Sequence, residues 1–243
     1  MDNYLRFAAV YDLFMVKEIP YDTWAAYITE IIKETAVTET PVVLDLACGT
    51  GNITLRLAAQ GFDMIGVDAS EDMLAQAQSK ASEQNLPILW LAQDMRGLDL
   101  YGTVDAAVCT LDGLNYILTI DELKEVFRRV RLFLHPRGVF IFDMNTVFKF
   151  KEILGNGTFA DTAESAEYQW DNHYDPLSGI NTYRVTFQTG NEVFTELHRQ
   201  RAYDPVDVSN WLMEAGFASV QLRDNYTHVP PSTTTARVTF ICR

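Results

Sequence analysis

The chain is poor in the residues that build metal and disulfide sites. Its three cysteines, Cys48, Cys109 and Cys242, stand far apart, and no CxxC pair occurs. That pattern gives neither a zinc ribbon nor a disulfide framework. The four histidines, His135, His173, His198 and His228, show no HxxxH or comparable ligand spacing, so no metal is expected. There is no apolar run of roughly 18 residues, the length that would suggest a membrane span. The start, MDNYLRFAAVYDLFMVKEIP, carries an acid at Asp2 and lacks the uninterrupted apolar stretch of a signal peptide, which leads to the expectation of a soluble protein of the reducing cytoplasm. Basic residues are scarce too: 19 Lys and Arg stand against 33 Asp and Glu, a formal charge of −14. Such a surface repels phosphate backbones and argues against a nucleic-acid partner.

What is present is the composition of an ordinary folded protein, 48% apolar and 21% charged, enough to bury a core. At about 100–200 residues per domain, 243 residues suggest a single domain, 1–243, enlarged by an insertion. Trp24, Ala25, Tyr27, Ile28, Ile31 and Ile32 form a helical stripe over 22–36. Strand-like runs follow at 41–47, 64–68, 88–92, 104–111 and 138–145, separated by helical stretches. Ser70 N-caps one of these helices. Thr119 and Glu122 form a capping box for another over 120–134, which stops around Pro136 and Gly138. Five buried strands alternating with helices predict an α/β fold with a doubly wound, mostly parallel sheet.

After residue 145 the rhythm changes. Residues 155–203 read as antiparallel strands, with turn signals at Gly155-Asn156-Gly157, at Asp175-Pro176 with Gly179, and at Gly190-Asn191. Tyr183, Val185 and Phe187 alternate with Arg184, Thr186 and Gln188, as in a sheet with one buried face. A helix over 205–215 and two closing strands, 218–224 and 237–243, complete the chain, the strands forming an antiparallel hairpin. The expected sheet therefore has seven strands, with a small antiparallel β insertion.

The chemistry concentrates in VVLDLACGTGN (42–52) and IGVDAS (65–70). The first strand ends in Asp45, the chain turns on glycines, and a helix starts at Asn52. Glycines let backbone approach a ligand closely, and a helix N-terminus offers free N–H groups to a polar or anionic end. Asp68, at the tip of the next strand, is placed to bind both hydroxyls of a ribose. Together these features point to a nucleoside-containing cofactor. Position 54 is Thr, so the third glycine of a dinucleotide fingerprint is missing, and no GK[ST] follows for a Walker A loop. A carboxylate directly before the turn suits a ligand with ammonium and sulfonium charge better than a pyrophosphate.

These motifs resemble the class I S-adenosylmethionine-dependent methyltransferases over essentially the whole chain. DLACGTG is similar to that family's first motif, GVDAS to its second and AQDMRGL to the stretch after the third strand, and the closing hairpin is similar to its reversed seventh strand. The resemblance implies that Asp45, Ala47, Gly49 and Gly51 hold the methionine part of S-adenosylmethionine. Asp68, with Ala69 beside it, would bind the ribose. Met73 would pack on the adenine, and Asp94 with Met95 would take its amino group. Leu111 and Asp112 would sit near the sulfonium. Residues 1–40 would form a helical lid, with Tyr11 as its aromatic over the site, and S-adenosylhomocysteine would be the product.

Methyl transfer from a sulfonium is an in-line displacement that positioning and desolvation can supply, so no single residue has to be catalytic. Beside Tyr11, the candidates expected at the strands' carboxyl edge are Asn115, Tyr116 and Asp143. In FTELHRQRAY, His198 and Gln200 share one face and Arg199, Arg201 and Tyr203 the other. An inward arginine would clamp a carboxylate or phosphate of the acceptor, which makes His198, Arg199 and Arg201 the substrate candidates. The pattern most resembles small-molecule enzymes such as glycine/sarcosine and amino-sugar N-methyltransferases. Methylation of RNA or protein, a non-catalytic nucleoside-binding role and an NAD-dependent oxidoreductase stay open as alternatives.

Overall fold

Apolar runs of strand length that are hydrophobic on both faces can be hidden only beneath helices on both sides. The structure, a computed structural model that describes residues 2–36, 38–163 and 166–243, is built this way. Helices α1 (Asp2–Glu18) and α2 (Tyr21–Thr35) come first. Then follow β1 (Val42–Leu46), α3 (Asn52–Ala59), β2 (Asp63–Asp68), α4 (Glu71–Glu83), β3 (Ile88–Ala92), β4 (Val104–Cys109), α5 (Ile120–Phe133) and β5 (Leu134–Asn145). The insertion supplies β6 (Thr158–Ala163), β7 (Ala166–Asp175), β8 (Ile180–Thr189) and β9 (Glu192–Arg201). Helix α6 (Pro205–Glu214) and strands β10 (Val220–Asp224) and β11 (Arg237–Cys242) close the chain.

The seven-stranded sheet has the order β10-β11-β5-β4-β1-β2-β3, and β11, antiparallel to both neighbours, is its one reversed strand. One face buries Leu44, Leu46, Ala107, Phe140 and Phe142 under α5 and α6. The other buries Val43, Ala106, Val108 and Ile141 under α2 and α3. Each large apolar side chain so buried contributes about 1.5–3 kcal/mol. The predicted caps are present: Ser70 accepts from the Met73 N–H and Thr119 from the Glu122 N–H.

Two boundaries differ from expectation. The fifth strand begins at Leu134 rather than Gly138, because Pro136 and Gly138 fall at a register shift against β4 instead of ending the strand. The fourth ends at Cys109 because Leu111 and Asp112 both adopt left-handed backbone (φ 57° and 53°). The insertion forms its own four-stranded sheet, β6-β7-β8-β9. The face bearing Tyr183, Val185 and Phe187 turns inward and packs on Val10 and Phe14 of α1. Among the described residues no helix is long and apolar enough to cross a membrane.

Candidate active site

The carboxyl ends of the parallel strands meet at one edge, the place where open α/β sheets accept ligands. Between that edge, α1 and the inner face of the insertion lies a cavity of about 860 Å3.

Its near end is made largely by backbone. Ala47 and Gly49 line it in left-handed conformation (φ 55° each). Around Gly49 nothing stands within 4 Å of a would-be Cβ, so the need for glycine there is conformational. At Gly51, a Cβ would come 3.0 Å from Ala77 and from the Trp90 ring. That glycine lets α3 start against α4 and β3, and it does not face the cavity. The Asp68 carboxylate takes the N–H groups of Gly49 and Ser70, each at 2.8 Å, and burial pushes its pKa up. Asp45 lies beneath the turn. One of its oxygens accepts from Thr54 Oγ1 at 2.5 Å, and Oδ1 has no hydrogen-bond partner among the described residues. Burial raises its pKa to about 7. A carboxylate so placed is stabilised by a nearby cation. Ala69, Met73, Asp94 and Met95 complete this wall. The Arg96 guanidinium binds Asp94 and bridges to Glu122; it lowers the pKa of Asp94, while Thr119 and then Arg96 lower that of Glu122.

The middle of the cavity is a strained turn. Successive non-glycine residues in the left-handed region are costly, and here the Asp143 carboxylate holds them by accepting the N–H groups of Leu111 and Asp112 at 2.8 Å each. The Tyr226 hydroxyl and Arg237 also donate to Asp143. Arg237 extends to Asp112 Oδ1 (2.7 Å) and lies over the Trp24 ring. Burial opposes its charge, but the two aspartates outweigh that and raise its pKa. Gln200 donates to the other Asp112 oxygen.

The far end is aromatic. The Tyr116 hydroxyl meets that of Tyr183 at 2.6 Å and His198 Nδ1 at 3.3 Å, while Tyr11, Tyr168 and Trp170 add to the wall. Burial raises the pKa of Tyr11, Tyr116 and Tyr183, so their hydroxyls stay protonated. Burial also lowers His198 to about 4, so its ring stays neutral. Helix α1 is fixed across the opening by Asp12, which accepts from Thr50 Oγ1, Asn52 Nδ2 and Lys80 Nζ at 2.6–2.8 Å.

The structure thus brings Tyr11, Ala47, Gly49, Asp68, Ala69, Met73, Asp94, Met95, Leu111, Asp112, Tyr116 and His198 to one cavity. Six expected residues do not line it: Asp45 and Gly51, which lie beneath and behind the glycine turn, and four more. Asp143 is fully buried behind the wall, consumed by the turn it braces. Asn115 is likewise buried, bridging the Asn145 backbone and the Arg201 carbonyl. Arg199 is exposed on the outer face of β9. Arg201 donates to the Leu118 carbonyl at 2.9 Å and lies over the Tyr203 ring. Along β9 the two faces alternate as expected, and the inward members at its end are His198 and Gln200. Sequence reasoning missed Arg237 and Lys149, both of which line the cavity. A signal for Arg237 existed: a reversed strand begins where its parallel neighbours end, so its first residue reaches the ligand edge.

A family model described as a methyltransferase domain matches residues 43–138. The chain is 38% identical over 242 residues to YqeM of Bacillus subtilis (strain 168), a methyltransferase by name, covering 98% of this chain and 95% of that protein. A crystal structure of an S-adenosylmethionine-dependent methyltransferase from Clostridium acetobutylicum ATCC 824 is 31% identical and superposes with a TM-score of 0.87, covering 99% of this chain and 98% of that one. The glycine/sarcosine N-methyltransferase of Halorhodospira halochloris is 27% identical over 187 residues, 73% of this chain and 66% of that protein. The chain belongs to the S-adenosylmethionine-dependent methyltransferase family. It is an enzyme of methyl transfer, and S-adenosylmethionine is its cofactor. The near end fits that cofactor, offering an orphaned buried carboxylate oxygen and a glycine turn without a basic side chain of its own.

Proposed function

We propose that the enzyme methylates a small molecule in the cytoplasm, and that an amine is the accepting group. The observation that carries this reading is the enclosure of the far end by α1 and the aromatic face of the insertion. A volume of about 860 Å3 falls within the roughly 300–1,000 Å3 of small-ligand pockets, and one small acceptor beside the cofactor would fill it. The N-methyltransferase activity named for the Halorhodospira relative supports an amine. The three free thiols suit a reducing compartment.

In this reading Asp45, Ala47, Gly49 and Gly51 serve the methionine part: Ala47 and Gly49 by contact, Asp45 by its charge and Gly51 by shaping the turn. Asp68 and Ala69 hold the ribose, Met73 packs on the adenine, and Asp94 and Met95 take its amino group. Leu111 and Asp112 face the sulfonium. When bound, the cofactor supplies an electrophilic methyl group. The chain's part is to orient and to exclude water. Helix α1 acts as the lid, Asp12 holding it shut and Tyr11 projecting into the cavity. Tyr116, Tyr183 and His198, all uncharged, offer hydrogen bonds that orient the acceptor without a dedicated base. The test is transfer of radiolabelled methyl to a panel of small amines, with bulk RNA and protein in parallel. Label in a small amine supports the proposal. Label only in RNA or protein overturns it.

A further inference from the structure

Lys149 lies on the single π-turn Lys149–Leu154 that follows β5, and it lines the far end of the cavity. Its ammonium donates to Asn145 Oδ1 at 2.9 Å and makes no ion pair among the described residues. Asn145 is also the register partner of Arg237, so the two cations flank one residue. They differ in their partners: Arg237 is bound by Asp112 and Asp143, whereas Lys149 meets only a neutral amide. Arg237 and its two aspartates carry one net negative charge, which complements the sulfonium in the reading proposed above. Lys149 is then left with no direct ion pair among the described residues of the cavity, and the carboxylates of Asp112, Asp143 and Glu18 act on it only through space. Burial and the neighbouring Arg237 push its pKa down and outweigh the opposing pull of Asp112, Asp143 and Glu18, a cost that an anion bound in direct contact would relieve. The walls beside it, Tyr168, Trp170 and Leu154, are apolar or aromatic.

We infer that Lys149 forms an anion subsite for the methyl acceptor, which therefore carries a carboxylate next to an apolar or aromatic body. This inference deepens, and rests on, the small-molecule reading. A monoanion suits the site because a single ammonium is available; a phosphate dianion would lack a second free cation.

The test uses benzoate and its neutral counterpart benzamide as probes, followed by the quenching of tryptophan fluorescence with and without saturating S-adenosylhomocysteine. The native chain is expected to bind benzoate tighter than benzamide by roughly tenfold or more, the worth of one charge-assisted hydrogen bond. Lys149→Met should erase that preference, Lys149→Arg should restore it, and affinity for S-adenosylhomocysteine should stay unchanged in both. Equal binding of the two probes to the native chain, or a preference that survives in Lys149→Met, overturns the inference. A native chain that ignores S-adenosylhomocysteine yet binds benzoate through Lys149 would sink the cofactor assignment while leaving the anion subsite standing.

Discussion

The two ends of the cavity are made in different ways. The near end comes mostly from one short stretch of chain, Asp45 to Met73, in which glycines, a helix start and the tip of the next strand meet because they are neighbours in sequence; Asp94 and Met95 join it from beyond β3. The middle and far end are assembled from α1, the turn after β4, the π-turn, the insertion and the first residue of β11. The near end works chiefly through backbone, and its side chains are short. The far end works through long side chains held by one another. A motif can therefore announce the near end, while the rest of the cavity is built by contacts between residues far apart in sequence, such as Arg237 with Asp112, 125 positions away.

Substitutions can break this contrast, and the largest effect belongs at the junction. Asp143→Ala removes the acceptor for two strained amides, a phenol and a guanidinium, leaving Arg237 half-paired in the interior. A loss of about 3–5 kcal/mol is expected, read by denaturant unfolding, and a change within error would show that the turn does not depend on it. Asp68→Ala comes next. It should weaken S-adenosylmethionine binding by about 1.5–3 kcal/mol through lost charged hydrogen bonds, measured calorimetrically on protein whose folding is verified.

Asp45 sharpens the contrast through pH. Its folded pKa, about 7, lies above the ordinary carboxylate value of 3.8. The unfolded chain therefore ionises first as pH rises, and stability is lost progressively between those two values. Unfolding free energies of the cofactor-free protein should show this loss relative to Asp45→Asn. Each pKa unit by which burial raises the carboxylate contributes about 1.4 kcal/mol to that loss. Parallel profiles for the two proteins would contradict it. The smallest effect is expected for Arg201→Ala. Losing its bond to the Leu118 carbonyl should cost about 1 kcal/mol of stability or less and leave acceptor use intact, and a collapse of turnover with a confirmed acceptor would place Arg201 in the site after all.

The same contrast explains what the sequence disclosed. The parallel sheet was legible because each buried strand carries its own apolar run, and the reversed β11 because a Pro-Pro loop precedes it. The insertion was legible as strands with one buried face, from Tyr183, Val185 and Phe187. Which face of β9 turned inward was not, since alternation alone cannot tell the His198 side from the Arg199 side. Asp143 looked like a rim acid because it sits near the end of a strand. Only the left-handed backbone at Leu111 and Asp112, invisible in composition, shows that its carboxylate is already used. Lys149 gave no signal, since nothing in FKFKEIL marks which lysine turns inward.

The division of the cavity is tested most directly by calorimetric titration of the native chain, Asp68→Ala and Lys149→Met with S-adenosylhomocysteine, with NAD as a control. Micromolar binding of S-adenosylhomocysteine that Asp68→Ala weakens and Lys149→Met leaves intact, with silence toward NAD, is the predicted result. Binding lost equally in both variants, or binding of NAD in its place, would contradict it.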